Sequence, residues 1–204
     1  MRIIVFGANG RTGREVVKQA IRKGIQVTAF VRNAETIKIQ SDNLRVVAGQ
    51  ATNYDDVKKA IVGHDAVISC IGGPGMKPST IITEITKNIV DAMNEVGVNR
   101  IVQVASAGIH GELKGLMGKL ASFMLRNALK DHTGAYNEIK EAGLNYTLAR
   151  PLALKDGVST GVYREAEEGV PHGGKDISRS DVANFLLKAV QDDKYIGKSV
   201  GLSY

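Results

Sequence analysis

Between the apolar run Ile3-Ile4-Val5-Phe6 and a helical pattern that sets in at Arg14 lies Gly7-Ala8-Asn9-Gly10-Arg11-Thr12-Gly13. Few folds accept three glycines spaced in this way between a buried run and a helix. The run is short, branched and unbroken, as in a parallel strand covered on both faces. After the glycines, Val16, Val17, Ala20 and Ile21 recur at helical intervals and form one apolar stripe. In such a turn one glycine permits the reversal, another lets backbone approach a ligand, and a third lets helix pack closely on strand. The amides and positive dipole end of the helix then face an anion. Gly7, Asn9, Gly10, Arg11, Thr12 and Gly13 therefore read as a nucleotide pyrophosphate seat, although the spacing is GxxGxxG and not the commoner GxGxxG.

Strand and helix patterns alternate from there. Residues 25–31, 44–48, 65–71, 100–105, 145–149 and 198–202 read as strands, with a short strand at 161–163, and residues 54–62, 80–96 and 180–189 read as helices. This order predicts an α/β class: a single-domain, Rossmann-like, doubly wound parallel sheet with helices on both faces and a small C-terminal embellishment. One domain over 1–204 suits the length, with 1–150 as dinucleotide-binding core and 151–204 contributing to the substrate side.

Ligands of such sheets lie at the carboxyl ends of the strands. Gln50, Ala51, Ile71 and Gly72 are expected there beside the adenine and diphosphate, and Ser106 and Pro151 leave the next strands at the same rim. Arg32 stands about twenty residues beyond the glycines, where an NAD site carries an acid for the ribose hydroxyl. An arginine there suits a 2′-phosphate, so NADP(H) is the expected cofactor.

Leu113, Leu116, Met117, Leu120, Phe123 and Met124 fall on one helical stripe. That segment reads first as a helix packed into the core, and second as a lid over a flat substrate. Tyr136 and Lys140, four apart, share a helical face; with Ser106 they make a candidate proton-donor site, and a solvated pair is the plainer reading. His132 beside Asp131 reads as a surface or capping histidine, or as one at the substrate mouth. Cys70 reads as a small buried apolar residue.

The formal charge of +6 is spread along the chain, which argues against nucleic acid as partner. One cysteine allows no intrachain disulfide and suits a reducing compartment. No apolar run reaches the roughly 18 residues of a membrane span, and the first strand begins too early to leave room for a leader, so a cytoplasmic location without membrane contact is expected. No metal cluster is expected.

These segments together resemble the atypical short-chain dehydrogenase/reductase families, specifically the NmrA-like NAD(P)H-binding group that contains the biliverdin-IXβ and flavin reductases. The resemblance is carried by Phe6 through Gly13, Phe30-Val31-Arg32-Asn33, Asp65-Ala66-Val67-Ile68, Asp131-His132, Gly143-Leu144-Asn145-Tyr146 and Ser178-Arg179-Ser180-Asp181. It implies an NADPH-dependent reductase of flavins, and also of bilins or quinones, with the flavin a substrate and not a prosthetic group. A monomer with a broad, open site is implied as well. The group also holds NADP-binding redox sensors that regulate a partner without turnover, which is the alternative reading. The chain departs from the pattern in Gln50, where Gly-Asp is common, and in Leu152, where the bilin-reducing member has histidine. That member lacks the Tyr136 and Lys140 pair.

Overall fold

Ile3, Ile4, Val5 and Phe6 are all fully buried, which requires cover on both faces of the strand they form. In the computed structural model, which describes residues 1–204, that strand is β1 (Arg2–Phe6). Around it stand β2 (Gln26–Val31), β3 (Leu44–Ala48), β4 (Ala66–Ser69), β5 (Arg100–Val104), β6 (Asn145–Pro151), β8 (Arg164–Ala166) and β10 (Lys198–Ser203), in the order β3-β2-β1-β4-β5-β6-β10-β8. All neighbours pair in parallel except β8, which runs antiparallel to β10. A small separate pair joins β7 (Ala153–Lys155) to β9 (Asp176–Ser178).

Helices α1 (Arg11–Arg22) and α6 (Arg179–Gln191) cover one face; α2 (Tyr54–Ile61), α3 (Ile81–Val96) and α5 (Arg126–Glu141) cover the other. The predicted stripe of α1 is observed, with Val16, Val17 and Ala20 fully buried in the core shared with α6. Burial of each such valine contributes about 1.5–3 kcal/mol.

The last third of the chain does more than embellish. Phe185, Leu186 and Leu187 of α6 are fully buried, and β10 extends the main sheet beyond β6. The short strand expected at 161–163 lies instead at Arg164–Ala166, because Thr160 and Gly161 are taken up by hydrogen bonds to Asp181. The larger correction concerns α4 (Gly115–Met124), which buries none of its residues. Leu116 is 84% exposed, Met117 75% and Phe123 65%, so the apolar stripe read as core faces outward.

Candidate dinucleotide site

The strand order reverses its direction of travel between β1 and β4, and a crevice opens where their carboxyl ends part. The cleft there measures about 840 Å³, within the range of cofactor sites. A smaller hollow of about 360 Å³, beside Arg2, Arg45 and His64, lies at the amino ends of the strands, away from every helix start that follows a strand.

The glycine turn forms the floor of the large cleft, and each glycine has a distinct steric role. Gly7 has φ +72°, and a Cβ on it would stand 2.6 Å from the Cys70 carbonyl oxygen, so β1 and β4 close only around a bare residue. A Cβ on Gly13 would come within 2.2 Å of the Gly7 carbonyl oxygen, which is the close helix-to-strand approach expected of the third glycine. Gly10 is the extended N-cap of α1 and offers no side-chain cap. The first turn of α1 contains no acid either, so its amides point at the cleft without a partner from the chain. Arg14 donates through Nε to the Asn9 backbone oxygen and to Asn9 Oδ1, both at 3.0 Å, which turns the Asn9 amide nitrogen outward as a free donor.

Gly7, Asn9, Gly10 and Arg32 line the cleft, and so do Gln50, Ala51, Ile71 and Gly72. Sequence reasoning missed Phe30, Thr36, Ile81 and Ile85 on its walls. Thr36 belongs to a 3-10 turn capped by Asn33, whose Oδ1 accepts from Glu35 N at 2.9 Å; an Asn two residues before an acid was the available signal. Arg32 is exposed beside that turn and takes part in no ion pair. The Gln50 amide nitrogen donates to Asp56 at 2.9 Å, which fixes the backbone after β3. Thr12 and Gly13 are buried in the first turn of α1, and Arg11 is exposed, 3.9 Å from Asp156. Burial pushes the Cys70 thiol up to about 12, so it is a neutral apolar group at the wall.

Ser106 stands at the rim. Ala105 N and Ala107 N donate to Ala149 O and Pro151 O, so the pairing of β5 with β6 runs on past the end of β5 and holds Ser106 between two fixed peptides. Pro151 is buried at the end of β6, does not line the cleft, and its carbonyl accepts from Ala107 N. The segment after Ser106 is tied down by Glu112, whose carboxylate pairs with Arg150; their side chains are 6% and 1% exposed. Arg150 also donates to Ser199 Oγ and Ser199 O, and Glu112 accepts from His110 N at 2.9 Å. Burial works against the Glu112 charge, but the backbone amides around it and the Arg150 guanidinium outweigh burial and hold its pKa below the usual carboxylate range. The pair joins a loop residue to a strand residue 38 positions away, so spacing in the sequence did not announce it.

Neither Tyr136 nor Lys140 lines the cleft. Helix α5 descends from it: Asp131 near its start accepts from Ile82 N and Thr83 N at the head of α3, and Asn127 donates to Met76 O. Tyr136, about 7 Å further along at 1.5 Å per residue, packs edge-on to Tyr146 near the foot of β6 and to His110. Lys140 lies one more turn down and is exposed. His132 sits in the upper turn; burial lowers its pKa, so it is neutral at pH 7, and its Nδ1 has no hydrogen-bond partner.

A parallel sheet with a bare helix start and a glycine turn at its switch point defines a dinucleotide-binding Rossmann protein. The description NAD(P)H-binding matches residues 7–193, and the chain belongs to that family. An uncharacterized chloroplastic protein of Arabidopsis thaliana is 31% identical over 95% of this chain and 73% of its own length. Divinyl chlorophyllide a 8-vinyl-reductase of the same plant is 26% identical over 97% of this chain, which spans 52% of that reductase. An anaerobilin reductase of Escherichia coli O157:H7 superposes with a TM-score of 0.84 at 22% identity, over 100% of this chain and 97% of that one, a likeness of fold. The family and the fold thus agree with the resemblance drawn from the sequence, and the cofactor is a nicotinamide dinucleotide.

Proposed function

We propose that this protein is an NADPH-dependent reductase of flat, conjugated acceptors, with free flavin as the leading substrate and tetrapyrroles as the second class. The observation that carries the reading is the uncapped start of α1 facing a cleft that also presents an unpaired Arg32. The residues present fit the cofactor: the α1 amides and Asn9 take the diphosphate, Arg32 takes the 2′-phosphate, and Ile81, Ile85 and Ala51 give the adenine an apolar wall. NADPH supplies the hydride when bound. Ser106, held between two fixed peptides, would orient the nicotinamide carboxamide or the acceptor beside it. The packing of Tyr136 on His110 and Tyr146 and the exposure of Lys140, both outside the cleft lining, support a packing role for the tyrosine and a solvated role for the lysine. The proton that completes flavin reduction then comes from water. The likeness to divinyl chlorophyllide a 8-vinyl-reductase supports that second acceptor class.

The test is oxidation of NADPH by the purified chain with FMN, riboflavin, biliverdin or a quinone, followed as loss of nicotinamide absorbance. Turnover above the chemical background with at least one planar acceptor is expected, and Tyr136→Phe should retain it. A chain that binds NADPH, read from the cofactor's own fluorescence, yet turns over none of them is a sensor and not a reductase.

A further inference from the structure

Helix α4 is amphipathic and laid with its apolar side outward. At 100° per residue, Leu116, Met117, Leu120, Phe123 and Met124 occupy an arc of about 120°. All five are exposed, whereas the residues of α4 with partial burial are the small ones, Gly118, Ala121 and Ser122. A Cβ on Gly118 would lie 2.7 Å from the Leu113 backbone, so the helix rests on its small face. None of these residues lines the dinucleotide cleft. Met76, 61% exposed, adjoins the patch through the bond from Asn127 to its carbonyl oxygen.

The charges around this face have one sign. Lys114, Lys119, Arg126 and Lys130 lie between residues 113 and 130 without a single acid, and Lys77 follows Met76. None of the five takes part in an ion pair. Arg126 lies over the Phe123 ring, 4.7 Å from its centroid. Cations at both ends of an outward apolar arc are the pattern of a helix lying in a lipid interface, where long basic side chains reach the headgroups while the apolar side sinks among the acyl chains. A second copy of this chain is a poor occupant, since a two-fold contact would set these cations against their own kind.

We infer that α4 docks the protein on an anionic lipid surface, through Leu116, Met117, Leu120 and Phe123 with the surrounding lysines and Arg126. This is a surface contact and not a span: no helix here is long and apolar enough to cross a membrane. The sequence reading excluded the membrane on the length of its apolar runs, but an interfacial helix needs only one face.

Flotation of the full chain with vesicles tests it. With phosphatidylglycerol and phosphatidylcholine mixed, at low salt, the protein is expected to float, and to do so at least tenfold less with phosphatidylcholine alone. The pair Leu120→Ser with Phe123→Ser should reduce partition to the anionic vesicles at least tenfold while NADPH binding, read from cofactor fluorescence, stays unchanged. That readout separates loss of docking from loss of fold or of the dinucleotide site. Failure of the wild-type chain to float, or equal flotation of the double variant, overturns the inference. So does a dimer in solution that the double variant breaks, or retention on soluble polyglutamate as strong as on vesicles, which would assign the face to a protein.

Discussion

Helices α1 and α6 pack against each other, and their first turns are finished in opposite ways. At the head of α6, Ser178 Oγ accepts from Asp181 N at 2.9 Å. The Asp181 carboxylate takes three donors on each oxygen: Ser159 Oγ, Thr160 N and Gly161 N on one, Thr160 Oγ1, Ser178 Oγ and Tyr204 Oη on the other. At the head of α1 there is a glycine cap, no acid, and amides with nothing from the chain to satisfy them. The two helices are joined by Gln19, which donates to Ser180 O at 2.8 Å, and they share one core. The difference shows where the chain completes itself and where it waits for an anion. Orphan amides at a helix start carry a free-energy cost that a bound anion relieves, which is the role proposed for the α1 amides toward the NADPH diphosphate.

Substitutions that break the comparison should separate stability from affinity. The largest effect is expected at α6: Asp181→Ala takes the shared acceptor from buried Ser178, from Tyr204 and from the 159–161 loop and should cost about 3 kcal/mol, read by denaturant unfolding, with NADPH affinity nearly unchanged for the fraction that folds. Burial opposes the Asp181 charge, yet the hydrogen bonds from Tyr204, Gly161, Thr160 and Ser159 prevail and depress its pKa. Its contribution is therefore present in full above about pH 4, near the unfolded value, and is lost as pH falls through the lower folded value. Asp181→Asn should flatten the acid limb of the stability curve; an unchanged limb would mean that the network does not act through charge.

Next in size is Gly13→Ala. Its Cβ meets the Gly7 carbonyl oxygen at 2.2 Å, so the turn must open, with a stability loss of about 1–3 kcal/mol and loss of most NADPH binding. Retained binding would show that the turn has room that the geometry denies. The smallest effect is at Arg32, which is exposed and supports nothing in the fold. Arg32→Ala should weaken NADPH about tenfold, leave NADH almost untouched and leave the unfolding midpoint where it was. An unchanged ratio of the two affinities would remove the 2′-phosphate from its assignment.

The parts of the molecule legible in the sequence are those fixed by short-range pattern. The buried run of β1, the stripe of α1 and the three glycines of the turn each need only a dozen residues to be recognised. Arg32 and Gln50 follow because parallel strands bring their ends to one rim. Periodicity says that α4 is two-faced but not which face meets the protein, and there the expectation failed. Spacing says that Tyr136 and Lys140 share a face of α5, but not whether that face lines the cleft, and it does not. The Glu112 to Arg150 pair joins residues 38 apart, and the Asp181 network gathers donors from the 159–161 loop and from Tyr204, so neither has a local signature.

The ion pair of Glu112 with Arg150 gives the two sides of the rim unequal compliance. Breaking a buried pair by removing one partner costs about 3–5 kcal/mol, so the segment that carries Ser106 keeps its shape when a guest arrives. Facing it, residues 72–78 are exposed throughout, and Met76 is held there by one bond from Asn127. Such a rim is braced on one side only, so any widening of its mouth is expected on the 72–78 side and not on the Ser106 side.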